Sequence, residues 1–276
     1  MNALIAVLII VAVTAVAVTA MLLVRRGAPE GSYFADGDRA AGVFGVLATG
    51  FAVLLGFVVF LAFESYDTSR SSAETEAIVV AQQFETAQFF PPDVRQELEG
   101  ALLCYARSVV GPEWQRLREG TQGDALNPWG VAMFRTLRDV DPKTAAEQSA
   151  YDRWLDQNSD REQARLERLH PADGVIPLPL WIVLFVTAVV IFVFVLFFAD
   201  SGERAVVQGV LMGSVAFVIA ATMLLLWFLD NPYQEGIGGL KPAAMERTLR
   251  ILDEEASVVR ERVRTPCDSA GRPQTS

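Results

Sequence analysis

A chain of 276 residues that is 52% hydrophobic, with a mean hydropathy of +0.31, is too apolar for an ordinary soluble domain and has room for several membrane spans plus a modest polar domain. The net charge of −10 gathers in residues 64–176, which carry twenty acidic against twelve basic residues; such a surface argues against nucleic acid as a partner and against a polybasic membrane anchor. Two cysteines without a CxxC spacing, Cys104 and Cys267, and a single histidine, His170, argue against a disulfide framework and against a zinc site.

Four apolar runs are long enough to span a bilayer: Leu4 to Val24, Ala41 to Phe63, Leu178 to Ala199 and Ala205 to Leu229. The first has no basic residue before it and Arg25-Arg26 after it, the pattern of a retained signal-anchor rather than a cleaved leader. A loop with Gly27, Pro29, Gly31 and Gly37 leads to the second run. That run passes without a turn residue into Glu64-Ser-Tyr-Asp, and no Pro or Gly follows Phe57 before Phe90. One long helix is predicted, half in lipid and broken at Pro91-Pro92.

In its membrane half, Gly45, Thr49, Ala52 and Gly56 are spaced four, three and four, so they share a face that a second helix can approach closely. The stripe either packs inside one subunit or lets copies of this helix line a pore. Beyond the lipid, Glu74 and Glu76 lie two apart and do not face one another, so they form no joint acid/base or metal site. A ring of either about a symmetry axis would select cations; a solvated helix face is the alternative.

After Pro91-Pro92, a helix opens at Asp93 with Val94, Leu98, Ala101, Leu102, Tyr105 and Val109 on its buried face, and Gly111-Pro112 closes it. Asn127-Pro128 and Asp141-Pro142 read as two further helix starts, a cap residue followed by proline. The second of these helices runs to His170, with Tyr151, Trp154, Leu155, Leu166 and Leu169 inward. The loop Asp200 to Arg204 makes the last two spans an antiparallel hairpin, with Trp181 and Trp227 near one interface. A final amphipathic helix, residues 242–264, carries Met245, Leu249, Leu252, Ala256, Val259 and Val263 on one seam, and the Pro/Gly/Ser-rich end beyond Thr265 reads as disordered. The two short loops hold four basic residues in 21 positions, which favours those loops in the cytoplasm and the polar domain outside.

Three segments carry a resemblance. The run Leu54-Leu-Gly-Phe-Val-Val-Phe-Leu-Ala-Phe followed by Tyr66, Arg70 and Glu76-Ala77, then Leu98 to Tyr105, then Leu229-Asp-Asn-Pro-Tyr-x2-Gly together resemble the bestrophin-like domain family of bacterial membrane proteins, over most of residues 41–255. That family is distantly similar to bestrophins, pentameric anion channels with four spans per subunit and a hydrophobic neck on the second span. The resemblance implies Phe57, Val53 and Thr49 as neck positions, with Gly50-Phe51 a competing alignment of the same dipeptide. It also implies a homo-pentamer in a bacterial inner membrane. Where bestrophins have a basic-aromatic sequence after the second span this chain has Glu64-Ser-Tyr-Asp, an acidic mouth that concentrates cations; and bestrophins hold their polar domain in the cytosol.

The expectation is an all-α protein: a first transmembrane hairpin (1–63), an acidic helical domain outside the membrane inserted between the second and third spans (64–176), a second hairpin (177–229) and a tail (230–276). Its expected function is an oligomeric channel for small inorganic ions, with a non-conducting scaffold or stress sensor as the alternative. No nucleophile, metal set or phosphate loop marks an enzyme, and no cofactor is implied. The spans hold no ionisable residue between their ends, which disfavours proton-coupled transport.

Overall fold

The computed structural model describes residues 3–121, 126–236, 238–258 and 263–274, and the regular elements among them are all helices. They form two compact units, residues 1–66 with 174–238, and residues 67–173 with 239–276. The helix α2 (Gly37–Ala87) begins in the first and ends in the second.

The first unit holds α1 (Ala3–Arg26), the apolar half of α2, α7 (Leu178–Leu196) and α8 (Ala205–Asp230). All four helices are long and apolar enough to cross a membrane. Their sequences are rich in Val, Ile and Phe, weak helix formers in water, but a bilayer offers no partner to backbone N–H and C=O groups, and a helix satisfies them within the segment. Three span hydroxyls obey the same constraint: Thr19, Thr187 and Thr222 each donate to the carbonyl four residues back, at 2.6–2.8 Å.

Helix α1 packs chiefly on α8, through Ala17 and Met21 against Met212 and Ala216. A Cβ on Gly213 would sit 3.2 Å from Val18 Cγ2, and one on Gly209 3.5 Å from Val18 Cγ1. The pair is a small-xxx-small motif that brings the two backbones together. Helix α2 packs on α7 and α8 through Phe51, Leu55, Val58 and Ala62, which meet Leu184, Ile191, Met223 and Leu226.

The Leu229-Asp-Asn-Pro-Tyr sequence ends α8 and also fixes the start of α7. Asp230 Oδ1 accepts from the backbone N–H groups of Val175 and Ile176, at 2.7 and 2.8 Å, and Oδ2 accepts from Trp181 Nε1 at 3.2 Å. The carboxylate is almost buried. Asp230→Ala strands three donors, two of them on the backbone, and is expected to cost about 3 kcal/mol; Asp230→Asn keeps one acceptor and is expected to cost about half as much. Thermal melting of the detergent-held protein distinguishes them.

The second unit holds the polar half of α2, then α3 (Pro92–Ser108), α4 (Trp114–Arg118), α5 (Pro128–Arg138), α6 (Ala145–Leu169) and α9 (Ala243–Val258). Its core is built from Phe84, Leu98, Leu102, Tyr105, Trp129, Met133, Leu137, Trp154, Met245 and Leu252. The α9 seam packs on α3 with Met245 and Leu252 buried and Leu249 partly so, while Val259 lies outside the described residues.

Several sequence-based expectations are corrected here. Gly111-Pro112 does not close a helix: the chain widens into a π-helical turn, Val109–Glu113, and continues into α4. The extra residue per turn accommodates a proline that has no N–H to donate. Asn127 caps α5 as expected, its Oδ1 accepting from Trp129 N at 3.0 Å. By contrast α6 starts not at Asp141-Pro142 but after Thr144, whose hydroxyl accepts from Glu147 N at 3.1 Å. Leu155 and Leu166 are exposed; the inward face of α6 is Trp154, Gln157, Arg161, Ala164, Arg165 and Arg168.

The end of the chain, expected to be disordered, is placed across residues 263–274, and Cys267 pairs with Cys104 across a sequence separation of 163. That bond corrects the reading that the two cysteines argue against a disulfide. The tail lies so close on α3 that a Cβ on Gly100 would fall 2.3 Å from the Arg264 carbonyl oxygen, and the Trp129 indole donates to the Gly271 carbonyl at 2.7 Å. A turn around Asp268, whose Oδ1 accepts from Ala270 N and Arg272 N, holds the end of the strap.

Candidate functional site

Two sides of α2 in the first unit differ sharply. One side is buried at Phe51, Leu55, Val58 and Ala62 against α7 and α8. The other carries Gly45, Thr49, Ala52, Val53, Gly56 and Phe57, all exposed, and a Cβ added at Gly45 or Gly56 would meet nothing within 4 Å. Val53 is 55% and Phe57 66% accessible. The small-residue stripe and the three expected neck positions therefore share a side of α2 that no other helix among the described residues covers. Of the two Gly-Phe dipeptides, Phe51 is buried in the core of the first unit and Phe57 is exposed.

The two acids of the polar half part company. Glu74 is exposed and meets Arg70 one turn back, at 3.7 Å. Glu76 is fully buried, so its expected place in an exposed acidic ring is corrected: two positions along a helix turn a side chain through about 200°. It binds Arg168, which donates from Nε and, at 3.1 Å, from Nη2, and it accepts from the Tyr105 hydroxyl at 2.5 Å.

Arg168 also contacts Glu113, whose second oxygen accepts from Arg165 Nη2 at 3.1 Å. The Arg168 guanidinium lies 5.6 Å from the Trp114 ring centroid. Burial alone pushes the Glu113 carboxyl up, but the charges of Arg168 and Arg165 and their hydrogen bonds outweigh it and hold the group below the usual carboxylate range. Burial, joined by the Glu76 charge, pushes the Tyr105 hydroxyl well above its ordinary value, so it stays a donor.

This cluster escaped the sequence reading because buried arginines on α6 look like a solvated face. One signal was present: Trp154, Gln157, Arg161, Ala164, Arg165 and Arg168 hold a strict helical register. Among the described residues, no three His, Cys, Asp or Glu side chains are grouped to hold a metal ion. An apolar groove of about 810 Å³ lies between α1, α7 and α8, lined by Ile9, Val13, Phe185, Met223 and the two tryptophans Trp181 and Trp227. Its lining offers no path for a hydrated ion.

Comparison with known proteins gives a consistent result. Similar folds include crystal structures of two point variants of a bacterial bestrophin homolog from Klebsiella pneumoniae. One has a TM-score of 0.65 at 14% identity, covering 89% of this chain and 98% of that one; the other has a TM-score of 0.66 at 14% identity, covering 92% and 98%. A crystal structure described as a membrane protein, also a point variant, matches with a TM-score of 0.65 at 14% identity, covering 89% and 97%. At such identities the likeness is one of fold. No curated protein matches the sequence. The model of the Bestrophin-like domain matches residues 9–244, most of the chain, and the resemblance read from Leu54 to Phe63, Leu98 to Tyr105 and Leu229 to Gly236 is thereby borne out: this protein belongs to the Bestrophin-like domain family.

Proposed function

We propose that the chain is one subunit of a ring-shaped membrane channel for small ions, with α2 lining the pore and Thr49, Val53 and Phe57 forming the neck. One observation carries this reading: the side of α2 that bears Gly45, Thr49, Ala52, Gly56 and the three neck residues is left uncovered within the chain, while its opposite side is fully packed. Small residues let helices of neighbouring subunits approach, and the Val and Phe between them narrow the lumen to a constriction that gates by dewetting. Five subunits is the number that the family resemblance supports.

The helical unit, residues 67–173 with 239–276, is proposed to stand outside the cytoplasm of a bacterial inner membrane. Arginines in the short loops favour this side, and the Cys104–Cys267 bond is a second argument, since disulfides persist in oxidising compartments. Glu64 and Asp67 open the polar half of α2, and Asp67 and Glu74 are exposed acids. Rings of these carboxylates favour small cations over chloride.

The test is the mass of the nanodisc-held complex, then ion flux and reversal potential in planar bilayers. A closed ring with a cation-selective current supports the reading. A silent monomer or dimer would favour a scaffold or sensor acting through the helical unit. In a conducting preparation, Phe57→Ala is expected to raise single-channel current several-fold; unchanged current would remove Phe57 from the neck.

A further inference from the structure

Within the second unit the facing sides of α2 and α6 run antiparallel, Glu76 opposite Arg168 and Gln83 opposite Arg161. At the Gln83 level the chemistry is one-sided. Arg161 is fully buried, donates from Nη1 to Gln83 Oε1 at 2.8 Å, and lies 5.0 Å from the Tyr105 ring centroid. That bond fixes which end of the Gln83 amide faces the guanidinium, and it leaves Gln83 Nε2 buried without a partner.

One turn earlier on α6, and on the same inward side, Gln157 is 4% accessible and neither end of its amide has a partner among the described residues, nor does Arg161 Nε. Three buried nitrogens with hydrogens to donate thus stand against one free acceptor, Gln157 Oε1. Each unmatched donor costs on the order of 1–3 kcal/mol, and native interiors seldom leave several together.

Charge points the same way. Arg165 and Arg168 share the buried Glu113, and Arg168 also holds the buried Glu76, whereas among the described residues the carboxylate that Arg161 meets is Glu162, its side chain 40% accessible at the rim. Water would bring as many hydrogens as lone pairs and would leave the donor excess in place. An anion brings acceptor capacity alone.

We propose that Gln83, Gln157 and Arg161 form a buried structural site for a monovalent anion of halide size, held between α2 and α6 by amide and guanidinium N–H groups. Its role is to complete the polar core of the helical unit. The site is independent of whether the assembly conducts.

The experiment is thermal unfolding of the purified, detergent-held protein at fixed ionic strength and pH, in sodium chloride, sodium bromide or sodium gluconate. The midpoint is expected to rise by several degrees in chloride and bromide relative to gluconate, and to climb with halide concentration. Equal midpoints in all three salts overturn the proposal and mark the occupant as water. Gln157→Glu supplies a carboxylate to Arg161 from within the chain and is expected to remove the halide dependence while keeping the midpoint at or above that of the parent in gluconate. A Gln157→Glu protein that melts lower and still responds to halide overturns the proposal as well. Gln157→Leu, which deletes the amide and adds no charge, is expected to lose the response; retention of the full response in that variant would exclude Gln157 and overturn the site as drawn.

Discussion

Replacing Cys104 and Cys267 together by serine is expected to lower the melting temperature of the purified protein by about 10 °C or more. The bond closes a loop with a sequence separation of 163, and the chain-entropy relation gives roughly 5 kcal/mol for a loop of that length. At about 2–4 °C per kcal/mol for a unit of this size, the effect is large. Both sulfurs are buried, and the strap they anchor also carries the Gly271 carbonyl that receives the Trp129 indole, so loosening the tail exposes part of the α3–α5 core. The intact protein is therefore expected to resist mild reductant while folded and to show two free thiols only after denaturation. A serine variant of unchanged mass that melts within about 2 °C of the parent would mean that the strap is held by its other contacts alone, and the long-loop argument would fail.

The same bond marks a boundary of what the sequence makes legible. Hydropathy picked out the four helices that are long and apolar enough to cross a membrane, because bilayer thickness sets a minimum apolar length that is visible in the sequence. Residues with local chemistry were legible too: Asn127-Pro128 caps its helix as read, and Met245 and Leu252 are buried as their spacing requires. Contacts set by distant partners were not. Nothing near Cys267 says that Cys104 will pair with it, and nothing near Arg168 says that it will be buried and paired with Glu76 and Glu113. Spacing alone could not tell Glu74 from Glu76 either, although one is exposed and the other enclosed. On α2 the sequence supplied the small-residue stripe, and the family resemblance the expected neck positions Thr49, Val53 and Phe57, but not which side of the helix is packed. That needed Phe51, Leu55, Val58 and Ala62 to be seen against α7 and α8.

Arg168→Met is expected to be the most damaging single substitution in the helical unit. It keeps most of the side-chain volume and removes the charge, leaving Glu76 without its guanidinium and Glu113 with Arg165 alone. Breaking a buried pair from one side costs about 3–5 kcal/mol, because the remaining charge stays desolvated. Glu76→Gln is expected to cost less, since Arg168 retains Glu113 and the amide can still accept from Tyr105. Combining the two should cost less than their sum by about 1–3 kcal/mol, as expected for groups that share one network. A strictly additive double variant, measured by chemical denaturation, would show that the pair is not coupled.

The pH dependence has a definite sign. The Glu113 carboxyl sits below its usual range in the folded protein, so the stabilisation it lends is fully present above the unfolded carboxylate pKa, about 4.3, and is lost as pH falls through the lower folded value. Stability traced to Glu113 is therefore flat from pH 6 to 8 and declines only in acid. Glu113→Gln should flatten that acid limb while lowering the plateau; an acid limb of unchanged steepness in the variant would assign it to other carboxylates.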